Sequence, residues 1–381
     1  MIKFFESTDA GAPTLNNAVG SMIAVFDACL ITGYNTKSIT SITVAGGVAT
    51  VVCTAHAYAN TYGKAIRIAG ATGSFTALNK DTQIANVSTN GFTFLCPGVA
   101  DGAATGTLTA KYAPLDWTKQ YSGTNKAIYK RSDVTATGCM LRIDDTTAGQ
   151  VCRALMVQSA TDIDTYTNPA PLAAQIAGGL GQYWSKGYNS ASAASWFIVA
   201  DEKLFYLFVE NTTAGSGIYG SYGFGDVVDF KPGSVLGCTM AGAINTAAQS
   251  NYAFVNGPSG IGSWVIAGAK DGINTSQNLV VETKQYSAYG TTGPSYPSDV
   301  DGGLVIQYPT LINEGAYDGH RRGIQPGLAV PLATISTSFV SKQQITNTVG
   351  YARVFLVVRI TQNNNASILA CPLIDLTGPW R

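Results

Sequence analysis

The chain has 381 residues, 46% of them apolar, and its 23 basic and 23 acidic side chains cancel while making up only 12% of the sequence. That length sustains a large core without disulfide staples, and a zero balance with no basic stripe excludes a general nucleic-acid or anionic-membrane binder. Charge is about half that of an ordinary soluble protein, so Ser, Thr, Asn, Gly and Tyr must solvate a surface that gives copies little mutual repulsion and suits packing against other chains.

The opening MIKFFESTDAGAPT holds one Lys and no apolar run of leader length, and no stretch of about 18 apolar residues occurs anywhere. Synthesis and folding in a cytoplasm are therefore expected. Residues 14–30 carry the one helical pattern, with Leu15, Val19, Met22, Ile23, Phe26 and Leu30 at spacings of three, four and one. Thr14 stands where an N-cap belongs and Gly33 where the helix can end. The apolar stripe predicts a helix docked on a sheet.

From Ser38 to Lys111 apolar and polar residues alternate nearly continuously, through SITSITV, VATVVC, KAIRIAG, DTQIANVSTNGFTFLC and GTLTAKY. Turn signals at Gly46-Gly47, Gly70 and Asn90-Gly91 separate the runs, the spacing of a small antiparallel sandwich or barrel inserted after the helix. The stretch Ser38 to Cys53 has a single charge-free hairpin reading.

Beyond Tyr112 the strongest signal is SWFIVADEKLFYLFVE, Ser195 to Glu210: two strands around Asp201-Glu202-Lys203, apolar on both faces and so buried between layers. Further strands are predicted at Gly138 to Asp144, Gln150 to Gln158, Ser263 to Ala267, Leu279 to Lys284, Gly303 to Tyr308 and Ala352 to Thr361, with a short helix at Leu172 to Ala177. TTAGSGIYGSYGFG and GTTGPSYPSD read as long loops of the type that carries contacts. The fold class is mainly β, with an antiparallel sandwich-like main body, an N-terminal helix and a small inserted β-sandwich or barrel module. The domain bounds are 1–37 for the N-terminal segment and helix of the main body, 38–111 for the inserted module, and 112–381 for the main β-rich body.

Chemistry finds little to work with. Cys29, Cys53, Cys96, Cys139, Cys152, Cys238 and Cys371 are odd in number and contain no C-x-x-C pair, which excludes a zinc ribbon and predicts free buried thiols. A hydrolase triad needs a base, and the two histidines, His56 and His320, serve no G-x-S-x-G elbow. GSGIYG, Gly215 to Gly220, matches G-x-G-x-x-G, but strand-like SYGFGDVVDF follows it where a dinucleotide site needs a helix. Carboxylate pairs of the type a glycosidase uses are Asp144 with Asp145, Asp162 with Asp164, Asp226 with Asp229, and Asp299 with Asp301. Such pairs commonly bond turn amides instead. SDVDGG, Ser298 to Gly303, is half a calcium loop without the closing Glu. The densest basic cluster, Lys126, Lys130 and Arg131, reads as a solvated strand end. Tyr183, Trp184 and Tyr188, and Tyr219, Tyr222 and Phe224, sit beside glycine and are candidate contact surfaces. No catalytic, cofactor-binding or metal residue and no cofactor is assigned.

The segments DWTKQYSGTNKAIYKRSD (Asp116 to Asp133), LRIDD (Leu141 to Asp145), SWFIVADEKLFYLF (Ser195 to Phe208) and IQPGLAVPL (Ile324 to Leu332) resemble virion structural proteins of tailed bacteriophages, of minor tail or baseplate type. The resemblance implies a non-enzymatic chain, assembled in the host cytoplasm and resident in the virion, in its tail, baseplate or tail tip. Its implied partners are other copies of itself, as a homo-oligomer of cyclic symmetry, and other phage tail proteins, with no nucleic acid and no membrane insertion. Two alternatives stay open: a host-surface glycan recognition module of a tail fibre or a head decoration protein, and a polysaccharide-degrading enzyme using one acid pair.

Overall fold

A computed structural model of the chain describes residues 1–176, 178–179, 181–187, 192–210, 214–230, 237–243, 265–267, 278–281, 296–299, 301–314, 321–333, 335, 338–360 and 371–381. The fold is mainly β, built from antiparallel sheets with one short N-terminal helix. No described helix is long and apolar enough to cross a membrane.

The predicted hairpin forms strands Trp196–Ala200 and Leu204–Glu210, and every residue of both is buried. Side chains of a strand alternate between faces, so the hairpin feeds two cores. Trp196, Ile198, Phe205, Leu207 and Val209 enter the larger one, and Phe197, Val199, Leu204, Tyr206 and Phe208 enter a second. Asp201 shapes the turn by accepting the Lys203 and Leu204 N–H groups at 2.9 and 2.8 Å.

Around this hairpin runs a ten-stranded sheet, in the order Lys3–Glu6, Trp196–Ala200, Leu204–Glu210, Tyr219–Asp226, Cys238–Ala241, Val265–Ala267, Asn278–Val281, Thr310–Glu314, Arg321–Gln325 and Val228–Asp229. Val228–Asp229 follows Tyr219–Asp226 after a single residue, so the last strand in the pairing order is next in sequence to the fourth. Tyr219–Asp226 corrects the expectation of a loop at TTAGSGIYGSYGFG: its second half is a fully buried central strand. Four glycines and a serine in ten residues masked the aromatic alternation there, because glycine leaves no side chain to mark the period.

On one face lies a five-stranded meander, Thr118–Gly123, Lys126–Lys130, Met140–Asp144, Val151–Val157 and Gln182–Ser185. The helix wedges between it and the central hairpin, with the Phe26 ring 5.8 Å from Tyr129, 6.1 Å from Trp184 and 5.4 Å from Phe205. On the other face lies a C-terminal sheet in the order Ile306–Gln307, Leu328–Pro331, Leu373–Asp375, Phe355–Val357 and Gln344–Ile345. The strands predicted at Gly303 to Tyr308 and Ala352 to Thr361 shorten to these cores, and the helix predicted at Leu172 to Ala177 is a 3₁₀ turn at Ala173–Gln175.

The helix itself is shorter than its apolar pattern. It spans Ser21–Phe26, and Leu15 instead bridges Ala194 in extended form, so Thr14 is not the cap. Gly20, at φ 77°, precedes the first turn, and Asp145 from the meander accepts the Met22 N–H at 2.9 Å. A tertiary carboxylate thus replaces the local cap. The chain continues as a wide π turn over Asp27–Thr32 and stops at Gly33, whose N–H bonds Ala28 O.

Every strand between Tyr34 and Tyr112 pairs only with strands of that same stretch. One sheet orders Tyr34–Ser38, Thr105–Tyr112, Ala65–Thr72 and Asp81–Gln83, and the other orders Asn86–Ser88, Gly91–Leu95, Val48–Val52, Ser41–Ala45 and Gly102–Ala103. Gly46 and Gly47, at φ 57° and 75°, close the two-residue turn between Ala45 and Val48, a conformation that side chains resist. Gly70 is not a turn. It lies inside Ala65–Thr72 at φ 87°, opposite a register shift, where a Cβ would strike the Thr107 carbonyl oxygen.

Phe205 touches the helix, Trp117 and Trp184 at once. Phe205→Ala is expected to destabilise the chain by about 3–5 kcal/mol, seen as a lower urea midpoint. Glu202→Ala, on the exposed side of the same turn, is expected to leave that midpoint nearly unmoved.

Candidate functional site

The outer face of the module's five-stranded sheet is the most distinctive surface. Alternation sends Ile42, Val44, Ala49, Val51, Phe92 and Phe94 inward and leaves the intervening residues outside. Strand register aligns Asn86, Thr93, Thr50, Thr43 and Ala103 in one row across all five strands. Beside it run Leu95, Val48 and Ala45 on one side and Ser88, Gly91, Val52 and Ser41 on the other. None of these residues is charged. Leu95 is 65% exposed and Val52 42%. Asp101, at the hairpin turn, is already used, since it accepts the Gly46 N–H at 2.9 Å. The strands at both edges are short, Asn86–Ser88 and Gly102–Ala103, which limits edge pairing and leaves the face as the available contact. Such a face contributes shape and apolar burial without long-range steering.

A buried ionic joint holds this module to the body. Lys64 has no exposed side-chain surface, contacts Asp9 at 2.8 Å and Glu6 at 3.1 Å, and stands 4.1 Å from the centroid of the Phe4 ring. Tyr34 donates to Asp9 at 2.8 Å, and Lys342, in the turn before Gln344–Ile345, reaches Glu6 at 3.0 Å. Lys3 and Arg67 share Asp81 at 2.5 and 2.6 Å, and Arg67 also holds Asp116. Burial would raise the Glu6 carboxyl, but the Lys64 and Lys342 charges outweigh it and hold it below its ordinary value. Asp81 is likewise lowered against its burial, by hydrogen bonds and charge from Arg67 and Lys3.

The residues singled out from sequence take structural roles. His56 is buried, with Nε2 2.9 Å from Ser88 O and Nδ1 accepting the Tyr58 N–H at 2.9 Å. His320 and Tyr188 lie outside the described residues, as does most of GTTGPSYPSD. The carboxylate pairs divide between separate tasks. Asp144 accepts from Thr146, while Asp145 caps the helix and pairs with the fully buried Lys186 at 2.5 Å. Asp162 accepts the Asp164 and Thr165 N–H groups, and Asp164 pairs with Lys126 and Arg142. Asp226 binds Thr137 and Arg131, and Asp301 accepts the Gly303 N–H.

One candidate surface is corrected, and the other in part, since Tyr183 is half-buried and Tyr188 lies outside the described residues. Trp184, Tyr219, Tyr222 and Phe224 are at most 2% exposed and belong to the cores, and the strand Tyr219–Asp226 is buried on both faces. The glycines of GSGIYG do form an anion-accepting loop, but the chain fills it: Glu210 accepts the Gly215 and Gly217 N–H groups at 3.1 and 2.8 Å.

Arg131 is also corrected, being 3% exposed rather than a solvated strand end. Its guanidinium lies 4.7 Å from the Phe224 centroid, donates to Thr137 Oγ1 at 2.7 Å, to Cys139 O at 3.0 Å and to Cys238 Sγ at 3.5 Å, and pairs with Asp226 at 3.0 Å. Sequence gave no sign of this cluster, whose members are far apart along the chain. All seven cysteines are free and buried. Among the described residues no three His, Cys, Asp or Glu side chains are grouped to hold a metal ion. The chain matches no protein-family model and no curated protein.

Lys64→Met leaves Asp9 buried without its cation and is expected to cost about 3–5 kcal/mol, measured as a lowered denaturation midpoint. Because Glu6 and Asp81 have folded-state values below their unfolded ones, the stability they add is complete above the ordinary carboxylate range. It is lost as pH falls through the depressed values. Asp145 and Asp201, raised chiefly by burial, have the opposite sign. Hydrogen exchange followed down a pH series is expected to deprotect residues 64–67 and 81–83 before the central hairpin.

Proposed function

We propose that this chain is a non-enzymatic structural component of a tailed-phage virion, of tail, baseplate or tail-tip type, acting by protein–protein assembly. The observation that carries the reading is the uncharged face built on Thr43, Thr50, Thr93, Val52 and Leu95. Two neutral faces lose little ion hydration when they meet, and burial of their apolar atoms drives the contact at about 25 cal/mol per Å². The buried joint at Lys64 supports the same reading, because a module that transmits contact needs a rigid seat rather than a linker. In this reading the partners are further copies of the chain and neighbouring tail proteins, the location is the virion after assembly in the host cytoplasm, and nucleic acid and membrane play no part.

The competing readings have less to support them. Glycan recognition rested on Tyr and Trp clusters whose described members are largely core, and polysaccharide cleavage rested on carboxylate pairs whose described members mostly serve turns, caps and ion pairs.

Sedimentation of the purified chain is expected to show self-association that Thr50→Lys combined with Leu95→Lys weakens about tenfold or more. The thermal midpoint should be unchanged, since both side chains are exposed. Mass spectrometry of purified phage particles is expected to find the chain as a stoichiometric component. A monomer missing from particles, or one that releases reducing sugar from host envelope, overturns the reading.

A further inference from the structure

The buried joint at Lys64 holds more than an ion pair needs. Lys64 Nζ lies 2.8 Å from each oxygen of Asp9, which centres it on the carboxyl group, inside the ~3–3.5 Å range of a near-attack pair. A second carboxylate, Glu6, stands 3.1 Å from the same nitrogen, and its other oxygen is held by Lys342 at 3.0 Å. Asp9 Oδ2 accepts two further donors, the Glu6 N–H at 2.9 Å and the Tyr34 hydroxyl at 2.8 Å. The setting is dry. The Lys64 and Asp9 side chains are at most 1% exposed, and the Phe4 and Tyr112 rings stand 4.1 and 5.9 Å from the lysine nitrogen. Gly63 allows this close seat: its carbonyl accepts the Phe4 N–H at 2.8 Å, and a Cβ there would lie 3.0 Å from Phe4 Cβ. Among the described residues Lys186 and Asp145 are as deeply buried, but no second carboxylate pairs with that lysine.

We propose that Lys64 and Asp9 condense to an internal amide, a self-formed crosslink that ties the module covalently to the body. The structure shows the two groups unjoined, as the reactants. The ammonium passes one proton to Asp9 Oδ1, leaving a neutral amine beside a neutral acid. Nζ then attacks Cγ: N–C forms, and the π pair of Cγ–Oδ2 moves to Oδ2, where the Glu6 N–H and the Tyr34 hydroxyl receive the developing charge. Glu6 takes a second proton from the nitrogen and delivers it to Oδ1. Against its burial, the Lys64 and Lys342 charges hold Glu6 ionised and so able to accept that proton. Cγ–Oδ1 breaks, one water leaves, the Oδ2 carbonyl re-forms, and Glu6 is a carboxylate again. One ammonium and one carboxylate thus give one amide and one water, and nothing else is consumed. Burial penalises both ions, so exchanging them for a neutral amide is favoured in such a seat. A tie spanning 55 positions also restricts the unfolded chain. The inference concerns the chain by itself and holds whatever it assembles with.

The test is the intact mass of the purified full chain in denaturant, followed by a peptide map. The expected result is a mass one water below that of the sequence, with the peptide containing Asp9 joined to the one containing Lys64, no tryptic cleavage after Lys64, and no reversal by dithiothreitol. Lys186 and Asp145 should stay unlinked. Glu6→Gln, checked for folding by tryptophan fluorescence, should be recovered at full mass, since loss of the proton carrier slows such a step about a hundredfold or more. Asp9→Ala should abolish the link. The wild-type map decides the matter even if neither variant folds. A wild-type chain that keeps its full mass after prolonged incubation at neutral pH, or a lost water mapped to any other pair, overturns the proposal. So does a folded Glu6→Gln chain that is linked as fully as the wild type. Assembly is read separately, by sedimentation and by the particle masses, so failure here and failure there are distinct.

Discussion

The two-sided burial of the Ser195 to Glu210 hairpin is the constraint on which the rest of the molecule depends. Strands with apolar side chains on both faces cannot rest at a surface, so layers must cover both. The meander and helix cover one face through Phe205, Trp184 and Tyr129, and the C-terminal sheet covers the other through Tyr206, Leu356 and Ile374. The extreme ends of the chain are drawn to this same element. Lys3–Glu6 extends the sheet beside Trp196–Ala200, and the final residue, Arg381, binds Asp201 at the hairpin turn.

Polar side chains then solve problems that this layering creates. A helix start without a local cap is met by Asp145, and the Lys186 cation beside it offsets the buried charge. A glycine loop with outward N–H groups is met by Glu210. A lysine enclosed at the module joint is met by Asp9 and Glu6. Ion pairs of this type add modest net stability but punish mispairing, because either partner alone is costly to bury. In a chain so poor in charge, these pairs fix register where apolar contacts would tolerate a slip.

What the sequence disclosed follows from which interactions are local. The alternation of Ser41 to Val52 around Gly46-Gly47 and the apolar run of Ser195 to Glu210 encode their strands directly, because period and turn chemistry lie within a dozen neighbours. Thr14 and Gly70 misled for the same reason. Their local signals are sound, but Leu15 was captured by Ala194, and Gly70 was needed for its missing Cβ against Thr107. Tyr219, Tyr222 and Phe224 looked like loop aromatics because glycines between them hid the strand. The neutral module face was legible as composition, whereas the Arg131 cluster depends on the contact of Arg131 and Thr137 with Asp226 and Cys238, which no short window contains.

The module's two ends meet in the structure. Tyr34 and Tyr112 are paired across adjacent antiparallel strands, with ring centroids 4.9 Å apart, so the chain enters and leaves through one narrow doorway. A recombination event that swapped this cassette for another would find the flanking ends already side by side. The incoming piece would have to supply a cation where Lys64 now stands, so the doorway screens which replacements the body can accept.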